Sequence, residues 1–299
     1  MPTNRNRRLI VLFAVPAFLV LALFALYKIP SPISTILHSR LRKTRAVIAS
    51  YDWGAAMPVT PVDVRVSSAD GMTQVFVPEG KFLMGADDTN VQKNRPKHSV
   101  FLSAFWIDQT EVTNAMYALC VEAGTCAYPV DNGSKPYYGN SKYADYPVVY
   151  VTWNAADKYC RWAGRRLPTD AEWEKAARGT DERLYPWGNQ PPTPSLANFD
   201  MAIGGPLPVD RYPLGASPYG ALNMAGNVRE WVSDWFNEFY YLASPRENPL
   251  GPDAGETKSL RGGSYLDDGN EIRAFNRFFH PPGSPGVNRG FRCASSVDE

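Results

Sequence analysis

Hydrophobic residues fall into one long block and many short periodic runs. The block, Leu9 to Tyr27, carries no charge and is preceded by Arg5, Arg7 and Arg8. As a helix rising ~1.5 Å per residue it would span roughly 28 Å, close to the ~30 Å hydrocarbon core of a bilayer. Pro16 is tolerable in such a helix. A cleavable signal peptide usually has a shorter apolar region ending in a small-x-small site. Here the run passes instead into Leu26-Tyr27-Lys28-Ile29-Pro30. The pattern predicts residues 1–8 as a cytoplasmic tail and 9–29 as an uncleaved, single-pass transmembrane anchor. Pro30, Pro32, Pro58 and Pro61 bracket a basic run, so residues 30–69 read as a juxtamembrane stalk.

Beyond it, residues 70–299 form one domain. Gln74-Val75-Phe76-Val77 and Lys81-Phe82-Leu83-Met84 suggest two strands, joined as a hairpin through Pro78-Glu79-Gly80. Thr113 is placed to cap a helix with Met116, Tyr117, Leu119 and Cys120 on one side. Thr152 caps a second, ending before Gly164, whose inner face is Ala156, Tyr159, Cys160 and Ala163. Thr169-Asp170-Ala171-Glu172 is a capping box that opens a third helix through Ala177. Residues 180–299 are dense in Gly, Pro, Asn and aromatics, with few periodic runs. They predict many loops over a small sheet, hence an irregular α+β fold.

Charge sharpens the picture. Residues 1–69 hold nine Lys/Arg and two Asp/Glu, and residues 70–299 hold 22 and 28. A mildly acidic domain argues against a nucleic-acid partner, which needs a basic face. It is compatible with bound cations. Arg5, Arg7 and Arg8 favour a cytoplasmic N-terminus, but Arg40, Arg42, Lys43 and Arg45 lie near the other end of the anchor. Four cysteines that can pair indicate an oxidising compartment and place the domain outside the cytoplasm, periplasmic or extracellular. A local bridge between Cys120 and Cys126 is geometrically possible. Buried free thiols are the alternative.

Ordered blocks carry a resemblance. They include Phe82-Leu83-Met84-Gly85, Glu111-Val112-Thr113-Asn114, Pro147 to Trp153, and Cys160-Arg161-Trp162-Ala163-Gly164. Arg166-Leu167-Pro168-Thr169-Asp170-Ala171-Glu172-Trp173-Glu174 follows, then Tyr185-Pro186-Trp187-Gly188 and Gly226-Asn227-Val228-Arg229-Glu230-Trp231. Arg261-Gly262-Gly263-Ser264-Tyr265 and Asn288-Arg289-Gly290-Phe291-Arg292-Cys293 close the series. From about residue 75 to 296 the chain resembles the formylglycine-generating-enzyme (sulfatase-modifying-factor) family. The resemblance implies a loop-rich, C-type-lectin-like α+β domain and a Cys160–Cys293 disulfide.

It also implies where the family's chemistry would stand. The copper-binding cysteines of the oxidases align with Asp267 and Ile272, and no cysteine occurs between Cys160 and Cys293. Copper(I) needs soft thiolate ligands, so a copper dithiolate cannot be built from this segment and no catalytic residue is assigned. Arg229 replaces a tryptophan usual beside that site. Relatives using non-haem iron draw on a histidine cluster, whereas His38, His98 and His280 are scattered. A structural calcium site would use Asn223, Gly226, Val228 and Glu230, and a second would begin at Asn198 and Phe199 with Asp200. The alternative for the first is a glycine turn with Glu230 salt-bridged to Arg229 or Arg261. Ser264 and Asn288 match residues of the substrate-peptide groove; in a plain reading both satisfy loop backbone groups. Arg273, Arg277 and Arg292 are expected as internal salt-bridge partners.

The leading expectation is a membrane-anchored module without cysteine oxidation, acting as an accessory subunit on a protein or peptide partner. One rival is a modifying enzyme with a different site, such as a metal at Asp267, Asp268 and Asn270, residues that otherwise read as a solvated loop. Another is a lectin-like receptor using aromatics among Phe236–Tyr241.

Overall fold

The computed structural model describes residues 63–130 and 137–297. The expected tail, the anchor and all but the last seven residues of the expected stalk lie outside the described residues. Among the described residues no helix is long and apolar enough to cross a membrane.

Among the described residues three sheets and three α-helices make up an α+β domain. The first sheet has the order β1-β2-β5-β10, with β1 Val64–Val66, β2 Thr73–Val77, β5 Phe105–Asp108 and β10 Ala294–Ser296, all antiparallel. β1 lies inside the segment read as stalk, so the domain begins by Val64. Val62-Asp63-Val64-Arg65-Val66 does alternate, but the two valines of this short edge strand are exposed, so its apolar positions mark the outer face and not the core.

β2 and β3 (Gly80–Met84) do not form the expected hairpin. β3 pairs instead with β4 (His98–Leu102) in a separate two-stranded sheet. Pro78 offers no amide donor, and Gly80, at φ +134°, turns the chain away from β2. The third sheet has the order β8-β7-β6-β9, from β6 Arg229–Trp235, β7 Lys258–Arg261, β8 Arg277–His280 and β9 Arg289–Phe291. Only β6 and β9 run parallel there, in the register Arg229 to Arg289 and Trp231 to Phe291.

All three helices start where a threonine caps them. Thr113 accepts from the Met116 amide at the head of α1 (Asn114–Glu122), and Thr152 from Ala155 at α2 (Trp153–Trp162). Thr169 and Glu172 complete a reciprocal capping box on α3 (Asp170–Arg178). Tyr117 and Cys120 of α1 are buried, but Leu119 faces solvent, so the apolar side of this helix is narrower than expected. Ala156, Tyr159, Cys160 and Ala163 of α2 all point inward.

Every residue of α3 is buried, its charged ones included. They survive burial because the carboxylates and Arg178 are ion-paired and the Lys175 ammonium donates to the Pro78 and Gly80 carbonyls. The Asp170 carboxylate meets Arg261 and Arg277, while Glu174 takes Arg178 at 2.7 Å and Arg261 at 2.8 Å. Burial opposes ionisation of Asp170, yet Arg261 and Arg277 hold its carboxyl below the usual range.

Both disulfides form. Cys120–Cys126 closes the end of α1, and Cys160–Cys293 fastens α2 to the segment between β9 and β10. They belong to one core cluster with Tyr117, Tyr159, Trp231 and Phe291. A second cluster packs α3 against β2 to β5.

Candidate functional site

The site aligned with the family's copper centre is built where β6 begins and where the loop leaves β7. Alternation along β6 turns Glu230 into the core and leaves Arg229 half-buried at the surface. After β7 the chain reverses through Gly262 and Gly263, both at positive φ. A Cβ on Gly263 would stand 2.8 Å from the Ile272 side chain, so only glycine lets the loop pack this closely. That turn delivers Ser264 and Asp267 beneath Arg229.

Asp267 is buried and fully engaged. Its Oδ2 accepts from the Ser264 amide at 2.7 Å, the Ser264 hydroxyl at 2.8 Å and Arg229 Nε at 2.9 Å. Oδ1 accepts from Arg229 Nη2 at 2.5 Å. Asn288 Nδ2 donates to Ser264 Oγ at 3.2 Å, and the guanidinium of Arg229 lies 3.9 Å from the Phe278 ring centroid. The structure therefore gathers the expected groove residues Ser264 and Asn288 around Asp267, but uses them on one another. Ser264 has no exposed surface.

Ile272, at the second cysteine position, is fully buried and packs in a cluster with Tyr185, Ala197 and Ala225. All four cysteines of the chain are in disulfides, so no thiolate is available to hold copper. The alternative metal trio also separates. Asp267 is not in a solvated loop but in the ion pair, Asp268 accepts from the Asn270 and Glu271 amides, and Asn270 accepts from Arg273. Among the described residues no three His, Cys, Asp or Glu side chains are grouped to hold a metal.

The first expected calcium set is committed elsewhere. Glu230 is paired neither with Arg229 nor with Arg261. Its carboxylate takes Arg292 Nε at 2.6 Å, Arg292 Nη2 at 2.7 Å and Trp173 Nε1 at 2.7 Å. Asn223 turns its amide nitrogen to Glu111 Oε2 and to the Val209 carbonyl, 2.8 Å from each. With its only carboxylate neutralised by arginine, the set of Asn223, Gly226, Val228 and Glu230 does not fit a divalent cation in this arrangement. Gly226 is needed for a close approach, since a Cβ there would stand 2.3 Å from the Asn198 carbonyl oxygen.

Glu111 was missed by sequence reasoning, because its partners Asn223 and Asn227 are 112 and 116 residues away. Burial, and next the charge of Glu230, push its carboxyl up to about 7.

The second expected set is divided. Asn198 is buried, donates to the Gly205 carbonyl at 2.9 Å, and leaves Oδ1 without a hydrogen-bond partner among the described residues. Phe199 is half-buried and packs against the Ile272 cluster. Asp200 is exposed, with its amide donating to the Asp267 carbonyl. Asn198 Oδ1 thus fits a hard cation; Asp200 shows no contact with it. Of the expected arginines, Arg277 and Arg292 are internal ion-pair partners, whereas Arg273 binds Asn270. His98, at the start of β4, bonds the Pro96 carbonyl two residues before it. His38 lies outside the described residues.

Comparison with known proteins agrees with this scaffold. The model of the sulfatase-modifying factor enzyme 1-like domain matches residues 60–297. The chain is 36% identical over 285 residues to the formylglycine-generating enzyme of Streptomyces coelicolor, covering 75% of this chain and 90% of that one. It is 32% identical over 279 residues to the Bos taurus enzyme, covering 74% of each. Among solved structures, PvdO from Pseudomonas aeruginosa superposes with a TM-score of 0.68 at 26% identity, over 81% of this chain and all of that one. Motif order, sheet arrangement and these likenesses make the chain a member of the formylglycine-generating-enzyme (sulfatase-modifying-factor) family.

Proposed function

We propose that this chain is a family member that does not oxidise cysteine and instead serves as an anchored binding module, docked as an accessory subunit on a peptide or protein partner outside the cytoplasm. One observation carries this reading: the position of a copper-binding cysteine holds Asp267, closed into an ion pair with Arg229 and hydrogen-bonded to Ser264. A thiolate pair can both bind Cu(I) and exchange with a substrate thiol, and a carboxylate does neither. The test is incubation of the purified full-length chain with a Cys-x-Pro-x-Arg peptide, copper and oxygen, read by mass spectrometry. No aldehyde product is expected; turnover to formylglycine would overturn the proposal.

Identity with enzymes named for formylglycine generation supports a second reading, a modifying enzyme of different chemistry. Stoichiometric copper or iron in protein prepared without chelator would favour it. The proposal extends to a structural calcium ion held in part by Asn198, supported by its unpartnered oxygen.

A further inference from the structure

An open groove of ≈ 490 Å³ is lined by Val91, Gln92, Lys93, Phe236, Phe239 and Phe279 among others, and it adjoins the Asp267 site through Phe278, which Lys93 and Arg229 share. An adjoining hollow of ≈ 200 Å³ shares Val91 and Lys93 with it. The combined size is that of a small-ligand pocket. One wall is aromatic. Phe236 and Phe279 stack with centroids 4.3 Å apart, and Phe239 leaves 53% of its surface in solvent. Large apolar rings held in the open beside a cleft cost hydration free energy that a ring-bearing ligand would recover.

Lys93 is built into this place. Its carbonyl accepts from Arg277 Nη1 at 2.8 Å, and the neighbouring Asn94 is buried and bonded to Asn276 and to the Arg277 amide. The backbone is therefore fixed while the side chain enters the groove, its ammonium 4.9 Å from the Phe278 centroid. Among the described residues that ammonium has no hydrogen-bond or ion-pair partner. The charges around it leave a positive bias. Arg229 shares the Phe278 ring with it and Arg277 binds the Lys93 carbonyl, and their counter-ions Asp267 and Asp170 are already engaged. Glu271 lies near, and Glu238 stands on the rim where solvent screens it. Burial first, then Arg229 and Arg277, hold the lysine below its ordinary range. An incoming carboxylate would relieve all three.

We propose that this groove binds an aromatic ring carrying a carboxylate, the ring against Phe236, Phe239 and Phe279 and the carboxylate on the Lys93 ammonium. A charge-assisted hydrogen bond then supplies direction and the phenylalanines supply contact area. The assignment stands whether or not the chain oxidises cysteine.

The test is calorimetric titration of the purified full-length chain with N-acetyl-L-tryptophan, its amide, N-acetyl-L-alanine and inorganic phosphate. The aromatic acid should bind about tenfold or more tighter than each of the other three, a difference of ~1.4 kcal/mol. Lys93→Met should bring it down to the level of the amide, while Lys93→Arg should retain most binding. Phe239→Ala, at an exposed position that leaves folding intact, should weaken it severalfold. Equal binding of acid and amide, phosphate matching the aromatic acid, unchanged affinity in Lys93→Met, or no heat at millimolar probe would each overturn the assignment.

Discussion

Replacing Cys160 and Cys293 together by alanine separates two contributions that the native fold combines. The bond closes a loop with a sequence separation of 133, whereas Cys120–Cys126 spans a separation of 6. In the chain-entropy relation a cross-link restrains the unfolded chain in proportion to the logarithm of loop length, giving ~5 kcal/mol for the long loop and ~2 kcal/mol for the short one. Both sulfur atoms of the long bridge sit in a fully buried cluster beside Tyr159 and Phe291, so their removal adds a small cavity cost of the same sign. For a domain of this size the long-bridge variant should lose roughly 10–20 °C in melting temperature. Urea unfolding of the native chain, the Cys160/Cys293 double variant and the Cys120/Cys126 double variant, all without reductant, is the direct assay. The midpoint of the first variant should fall furthest. A larger loss from the Cys120/Cys126 pair, or equal losses, would refute the loop-length argument.

Three further outcomes follow from the buried charges and the asparagine cluster. Glu230→Gln leaves the fully buried Arg292 without a counter-ion and should cost ~3–5 kcal/mol in urea unfolding. Burial, then the charge of Asp170, push the Asp234 carboxyl up to about 7 from an ordinary 3.8, so the folded state holds the extra proton between these values. Stability from this group is complete below about pH 4 and is lost as pH rises through about 7; relative to wild type, Asp234→Asn should therefore gain stability as pH rises from about 4 to about 7, and a flat difference across that window would count against it. Chelation should lower the melting temperature by roughly 5–10 °C if calcium is present at ~100 times its dissociation constant, with no response in Asn198→Ala.

What was legible in the sequence was local. Thr113, Thr152 and Thr169 cap their helices through contacts three residues away, so the helix starts could be read directly. The absence of thiolates near Asp267 followed from residue identity alone. Sheet partners were hidden, because β2 and β3 look alike as strands while their partners β5 and β4 lie beyond the intervening loop. The ion pairs were hidden for the same reason. Glu230 was matched to nearby arginines, but its partner Arg292 is 62 residues away and arrives on the chain just after β9. Asp267 read as solvated because Asp267, Asp268 and Asn270 cluster around Gly269 as in a loop, and only the Gly262-Gly263 reversal brings it under Arg229.

The arrangement of the last two strands sets the order in which this domain can be completed. β9 supplies the parallel edge of one sheet, β10 the edge of another, and Cys293 between them holds the sulfur for Cys160. A chain emerging from its N-terminal side exposes β5, β6 and the Cys160 thiol before their partners exist. Early residues must wait for the segment Arg289–Ser296 to seal three separate seams. Such late closure leaves unpaired strand edges open during synthesis. A truncation before Arg289 would strip all three seams at once, making the C-terminal segment the latch of the whole domain.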